Sequence, residues 1–211
     1  MDLGSSQSSA HSEEEVYRAH LYRLLARLLG APADQELFRL LQDLDGDDSP
    51  MGQAVAALSD VAARMSMEEA AQEYHDLFIG VTQGELVPFA SYYLTGFLHE
   101  KPLLDLRNSM DELGIARTED VAETEDHIAS LCEIMHGMIT GEFGEPISLA
   151  DQFRFFEDHV SNWAGKFFED LEAAKSARFY MPVGLIGKLY LEIESEAFKI
   201  AAGPRRQELP S

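Results

Sequence analysis

The stretch from Glu123 to His136, ETEDHIASLCEIMH, decides the fold prediction for this chain. Apolar residues stand four, seven and eleven positions after His127, namely Leu131, Ile134 and Met138. Residues at this spacing share one face of an α-helix. The stretch therefore predicts an amphipathic helix that carries the imidazole of His127 on its apolar stripe.

The polar residues of this stretch are compatible with a metal site, a catalytic acid/base cluster, or the polar edge of a surface that binds another chain. Thr124 is predicted to cap a helix over residues 125–140. Asp126 then lies in the first turn, beside the apolar stripe, where the helix dipole favours negative charge. In this position the carboxylate of Asp126 is expected to face solvent.

Two groups of potential metal ligands occur in the sequence. Cys132 and His136 share a helix face, but His127 falls on the opposite side, so this cluster predicts no structural metal site. The doublet His75-Asp76 is typical of HD-type helical phosphohydrolases, which use such a pair together with further ligands to hold a metal ion. A metal-dependent phosphohydrolase therefore stays open as the alternative function.

Helical signals recur along the rest of the chain. Ser12-x-x-Glu15 and Ser66-x-x-Glu69 match the capping box, and Asp34 precedes another apolar-periodic segment. No segment alternates with period two over a length that would indicate a strand. The sequence predicts an all-α fold without a sheet, built as a single helical domain of two packed sub-bundles.

The stretch GEFGEP, with two glycines and a proline, interrupts the helical pattern and predicts a hinge. The expected organisation begins with a disordered N-terminus (1–12) and an N-terminal helical bundle (13–140). A hinge (141–147), a C-terminal helical bundle (148–202) and a flexible tail (203–211) follow.

Composition restricts the classes of partner. The 211 residues carry a formal net charge of −22, which repels nucleic acid and anionic membrane and attracts basic segments. The chain has one cysteine, no basic and apolar leader, and no apolar run of membrane-spanning length. These features predict a cytoplasmic protein that binds neither nucleic acid nor a membrane.

Three motifs, in this order and spacing, resemble the TorD/DmsD/NarJ family of molybdoenzyme-specific chaperones. The family shows an aromatic-x-x-Leu-Phe helix end, a Pro-x-x-Ser loop and a Glu-Pro-x-Asp-His helix start, although Thr124 stands where the family has proline. The segments DQFRFFEDHVSNWAGKFFEDL and ARFYMPVGLIGKLYLEIE are similar to the closing helices of the family. The matching positions are Tyr74, Leu77, Phe78, Pro88, Ser91, Glu123, Asp126 and His127.

The resemblance implies a non-catalytic, all-helical chaperone without a cofactor of its own. Its expected partner is the N-terminal twin-arginine signal peptide of a molybdoenzyme, held in the cytoplasm until the molybdenum cofactor is inserted before export. The matching positions are expected to form or support the peptide-binding surface, with Asp126 opposite an arginine. On that reading, Asp126→Asn would cost folding only about 0.3–1 kcal/mol. The resemblance also implies weak guanine-nucleotide binding, and a monomer or swapped homodimer.

Overall fold

The computed structural model describes residues 4–116 and 123–202, with side chains placed for 13–116 and 123–201. Helices cover more than half of the chain, and no strand occurs within the described ranges. The predicted all-α fold is confirmed. The α-helices are α1 Gly4–Gly30, α2 Gln35–Gln42, α3 Pro50–Arg64, α4 Met67–Tyr74, α5 Ala90–Thr95, α6 Lys101–Glu112, α7 Ile128–Thr140, α8 Leu149–Phe156, α9 Ala164–Ala173 and α10 Tyr180–Ala202. Two π-helical turns, His75–Ile79 and Glu157–Ser161, continue α4 and α8.

Local capping signals fix several helix starts. The carboxylate of Asp34 accepts a hydrogen bond from the backbone N–H of Leu37, and Ser66 and Glu69 form the predicted capping box at α4. Helix α1 extends towards the N-terminus as far as Gly4, so Ser12, where the sequence predicts a capping box, lies within the helix and not at its start. A capping box satisfies N–H groups at a helix start but does not prevent another turn from forming before it.

Helix α7 begins three residues later than the sequence predicts. Its first residue is Ile128, and its cap is His127, whose Nδ1 accepts from the N–H of Ala129. The prediction that Thr124 caps this helix is wrong. The hydroxyl of Thr124 donates instead to the carboxylate of Asp126, so it is unavailable to a helix N–H group.

The hydrophobic core lies between helices from both halves of the chain. Helix α1 packs along α7, and α10 packs against α9 and α3. Fully buried core residues come from both sides of the glycine-rich segment at 141–147, including Leu28, Leu131, Phe168 and Tyr190. The hinge and the division into two sub-bundles stay predictions.

Candidate peptide-binding site

The second and third motifs meet where α5 and α7 begin. Ser91 donates two hydrogen bonds to Oδ2 of Asp126, from its backbone N–H at 3.0 Å and from its hydroxyl at 2.5 Å. The hydroxyl of Thr124 donates to Oδ1 of the same carboxylate at 2.5 Å. Both Ser91 and Asp126 are fully buried, with 0% of their surface exposed. The Asp126 carboxylate is therefore an internal acceptor.

The burial of Asp126 corrects two expectations. The carboxylate does not face solvent, and its oxygens already accept hydrogen bonds from within the chain. The expected folding cost of 0.3–1 kcal/mol is also too small. That figure belongs to an exposed acid at a helix start, whereas removal of a buried acceptor leaves its donors unsatisfied.

His127 is buried beside this carboxylate. Its ring packs edge-on against Phe89, with 4.9 Å between ring centroids. The backbone on either side pairs with the incoming loop, because Ala90 N–H donates to the carbonyl of Asp126 and Ile128 N–H donates to that of Pro88. Burial lowers the pKa of His127 to about 4, although the neighbouring Asp126 raises it. The imidazole is thus neutral near pH 7, and since Nδ1 accepts a hydrogen bond, its proton lies on Nε2.

The first motif lies at the end of α4 and in the π-helical turn that follows. Tyr74 is buried and donates from its hydroxyl to the carbonyl of Leu29 at 3.2 Å, and Leu77 is fully buried. Phe78 is partly exposed and packs against the rings of Tyr74 and Tyr180, with centroids 5.0 Å and 5.5 Å apart. Single π-helical turns are frequent at functional sites. Here the turn places Phe78 between the core and the surface.

Glu123 is the exposed carboxylate of the three motifs. Burial raises the pKa of Tyr74 to about 12, and the negative charge of Glu123 adds to that rise. The next acid, Glu125, is largely buried and forms an ion pair with Arg107 at 2.9 Å.

An open groove of about 450 Å³ adjoins the motif residues, and we call it the loop groove. The π-helical turn, the connection to α5, and the start of the connection from α5 to α6 form its walls. The lining residues are Phe78, Ile79, Thr82, Gln83, Gly84, Leu86, Val87, Pro88, Phe89, Tyr92, Gly96, Phe97 and Leu98.

The loop groove is apolar and accessible. Its lining carries no charged side chain, and Phe97 exposes 69% of its surface. Ile79, Tyr92 and Leu98 are also large apolar residues in exposed positions. Contiguous exposed apolar surface often marks an interaction site. The motif analysis included Phe78 and Pro88 but missed these four; of them, Phe97 and Leu98 directly follow the helix stop at Gly96.

The loop that forms one wall is held in a defined shape. Gly80 has φ +61°, and a Cβ there would lie 2.1 Å from the carbonyl oxygen of Gln83. Leu86 N–H donates to the carbonyl of Leu77 at 2.8 Å. The carboxylate of Glu85 accepts from backbone N–H groups of the α9–α10 connection. These bonds fix the loop on both sides.

The potential metal ligands do not assemble. The nearest nitrogen and oxygen of His75 and Asp76 are 3.6 Å apart, and no group of three or more potential ligands occurs among the residues that the structure describes. His136 lies against the carbonyl of Ala19 at 2.9 Å, away from His127. Cys132 is buried, which raises the pKa of its thiol well above the usual range.

The fold of this chain is shared with a solved structure. A solved structure described as a redox enzyme maturation protein from Archaeoglobus fulgidus superposes with a TM-score of 0.55 at 19% identity, over 83% of this chain and 93% of that one. This similarity concerns the fold. The family model for the nitrate reductase delta subunit matches residues 44–169, and the chain belongs to that family.

Curated relatives carry the name chaperone protein TorD. The relative from Vibrio atlanticus (strain LGP32) is 24% identical over 200 residues, which cover 85% of this chain and 93% of that protein. The relative from Vibrio cholerae serotype O1 (strain ATCC 39541 / Classical Ogawa 395 / O395) is 28% identical over 166 residues, which cover 75% of this chain and 71% of that protein. The predicted family is confirmed, and the chain is a maturation chaperone rather than a catalytic enzyme. No helix within the described ranges is long and apolar enough to cross a membrane.

Proposed function

We propose that this molybdoenzyme maturation chaperone binds the N-terminal twin-arginine signal segment of its client in the loop groove. In the cytoplasm it would hold that segment until the molybdenum cofactor has been inserted. The observation that carries the proposal is the open, uncharged apolar groove directly beside the family motif residues. A twin-arginine signal continues from its arginines into an apolar stretch, and that stretch is the part that fits this lining.

The proposed site divides its residues into two roles. Phe78 and Pro88 line the groove and would contact the peptide. Five buried motif residues hold the walls in place, because their hydrogen bonds and packing join α4 to α1 and α5 to the start of α7; they are Tyr74, Leu77, Ser91, Asp126 and His127. Asp126 is thus a positioning residue that organises the start of α7.

The arginines of the peptide require carboxylates outside the groove, since its lining has none. Glu123 is the exposed acid of the motif set and is proposed to face one arginine. The net charge of −22 adds a long-range attraction for a cationic segment. Because such contacts are solvent-exposed, each is worth about 0.2–1 kcal/mol and weakens as salt rises.

The test is calorimetric titration of the chain with a twin-arginine peptide that includes the following apolar stretch. Phe97→Ser removes an exposed aromatic from the groove and should weaken binding about tenfold or more, since aromatic anchors dominate peptide interfaces. The matched control is Leu104→Ser on α6, at a residue 60% exposed and outside the lining. Both variants should melt like the wild type. Equal affinity for the wild type and Phe97→Ser would remove the loop groove from the proposal.

Two further predictions stand beside this one. Weak guanine-nucleotide binding is checked by titration with a guanine nucleotide. A dimer swapped through the segment at 141–147 is checked by light scattering at several protein concentrations. Neither affects the assignment of the loop groove.

A further inference from the structure

A second apolar groove lies between α1 and the C-terminal half of α10, and we call it the terminal groove. Tyr22 of α1 packs on Tyr190 of α10, with 4.8 Å between ring centroids. One turn earlier on α1, Arg18 pairs at 2.7 Å with Glu194, one turn later on α10. The two helices therefore run in opposite directions, and the terminal groove follows the furrow between them.

Two adjoining cavities of about 630 and 380 Å³ form the terminal groove. Their lining along α10 extends from Tyr190 to Ala201. These eleven helical steps correspond to about 16 Å, or three turns. None of the residues that line the two cavities lines the loop groove. The terminal groove is therefore a separate surface.

The floor of the terminal groove is apolar and exposed. Ile193 lines both cavities and exposes 54% of its surface. Ile200, in the larger cavity, exposes 80%, and Tyr17, in the smaller one, exposes 70%. Leu149 is a further exposed apolar residue of the lining. Exposed apolar side chains that adjoin one another in this way form a surface suited to a partner.

Both edges of the terminal groove are acidic. Glu14 and Glu15 lie on the α1 side, and Glu192 lies on the α10 side. These three carboxylates make no ion pair with any residue that the structure describes. The cation of the lining, Arg18, does not neutralise them, because it is already paired with the buried carboxylate of Glu194. The charge at both edges is therefore available to a cationic partner.

We infer that the terminal groove binds a cationic amphipathic helix of a protein partner. The apolar face of that helix lies on the floor, and its lysines or arginines lie against the acidic edges on both sides. A furrow of three turns between two helices accepts the apolar positions i, i+3, i+4 and i+7 of a third helix. An extended strand fits less well, because its side chains alternate between opposite faces and would direct every second one away from the floor.

Charge also selects among the possible occupants. A second copy of this chain carries a net charge of −22 and would bring further carboxylates towards edges that are already acidic. An anionic membrane surface is repelled for the same reason. A helix with cations on both flanks of its apolar face complements both edges at once.

The test uses the full chain and a fluorescently labelled, designed helix of about fifteen residues, slightly longer than the groove. Leucines form one face of this peptide and lysines flank that face on both sides. A matched peptide carries glutamates in place of the lysines. Fluorescence anisotropy should show at least about tenfold tighter binding of the lysine peptide at low salt, with a smaller difference at high salt.

Variants of the chain assign the binding to the terminal groove. Ile193→Ser should weaken binding of the lysine peptide about tenfold or more. The matched control is Met181→Ser, at a residue of the same helix that is 47% exposed and lines neither groove; its affinity should equal that of the wild type. Ile200→Ser, at the more exposed position, replaces Ile193→Ser if the latter lowers the melting temperature. Equal affinity of the Ile193 or Ile200 variant and the control would overturn the inference.

The position of the bound peptide is measured as well, because the net charge attracts cationic peptides to any part of the surface. A photo-crosslinker on the leucine face should label residues 13–21 and 190–201. Labelling of residues 78–98 instead would overturn the inference. A dimer of the free chain that Ile193→Ser dissociates would also overturn it, because a second copy would then occupy the groove. Since Phe97→Ser should leave this binding unchanged, failure here does not affect the proposed function of the loop groove.

Discussion

Two adjoining regions of the molecule have opposite physical properties. One is the polar cluster at the starts of α5 and α7, the other is the loop groove, and they meet at Pro88 and Phe89. In the cluster, Ser91 and Asp126 are fully buried and each polar contact is satisfied inside the chain. In the groove, large apolar side chains face solvent without a charged neighbour in the lining. The comparison teaches that the motif recognisable in the sequence mainly builds the scaffold, whereas adjacent residues outside the motif provide most of the exposed apolar surface.

The largest expected effect comes from Asp126→Ala. The substitution leaves three donors without their acceptor, two on the buried Ser91 and one on the partly buried Thr124. We expect the free energy of unfolding to fall by about 3–5 kcal/mol, measured by urea denaturation. Ser91→Ala, which removes one hydroxyl donor and keeps the carboxylate, should cost less, about 1–2 kcal/mol. A loss below about 1 kcal/mol for Asp126→Ala would show that the carboxylate is not the organising acceptor.

The second effect is a pH dependence from His127. Its pKa is about 4 in the folded chain, because burial disfavours the charged ring, and about 6.5 when unfolded. The unfolded state therefore takes up the proton first, so the stabilising contribution is complete above pH 6.5 and is lost as the pH falls towards 4. The loss should approach roughly 3 kcal/mol.

The control for this pH effect is His127→Asn, since asparagine can still accept from the N–H of Ala129 as a helix cap. Denaturation curves of both proteins between pH 7 and 4 give the difference that belongs to His127. A difference that stays constant over this range would contradict the lowered pKa.

The third prediction connects the scaffold to the groove. Gly80→Ala places a methyl group 2.1 Å from the carbonyl oxygen of Gln83 at φ +61°, so the loop that forms the groove wall must move. We expect a loss of about 1–3 kcal/mol in stability together with weaker binding of the twin-arginine peptide. Gly114→Ala is the matched control, since Gly114 also has positive φ (+70°), its Cβ would meet no atom within 4 Å, and it does not line the groove. If both variants bind the peptide equally, the shape of this loop does not matter for recognition.

The smallest expected effect is that of Glu123→Gln. The side chain is exposed, so stability should stay within about 0.5 kcal/mol of the wild type. Affinity for the twin-arginine peptide should fall by up to about fivefold at low salt, and the difference should disappear at high salt. Glu112→Gln, at an exposed acid at the end of α6, serves as the control. A salt-independent loss would mean that Glu123 acts by packing instead.

The sequence was sufficient for the helical fold and the family because both depend on local patterns. Helical periodicity and the caps at Asp34 and Ser66 are encoded within a few residues. The start of α7 was misplaced because the hydroxyl of Thr124 donates to Asp126, whose other oxygen is bonded to Ser91, 35 positions away. That competition between a local and a distant partner has no signature in a short window.

Local patterns in the sequence also did not predict which side chains are exposed. The spacing from His127 correctly indicated a ring packed against the core, although His127 caps α7 and does not belong to it. The burial of Asp126, in contrast, depends on the loop at 88–91, which covers the start of α7. Phe97 and Leu98 read as ordinary apolar residues, and only the arrangement of α5 and the loop shows that they face solvent.

Helix α10 fixes the distance between the loop groove and the terminal groove near its own end. Near its start, Tyr180 packs on Phe78 in the wall of the loop groove, and near its end, Ala201 lines the terminal groove. Twenty-one helical steps separate these residues along the helix, or about 30 Å at 1.5 Å per residue. An extended peptide needs roughly nine or ten residues to span that distance. A chain segment shorter than this can reach only one of the two grooves.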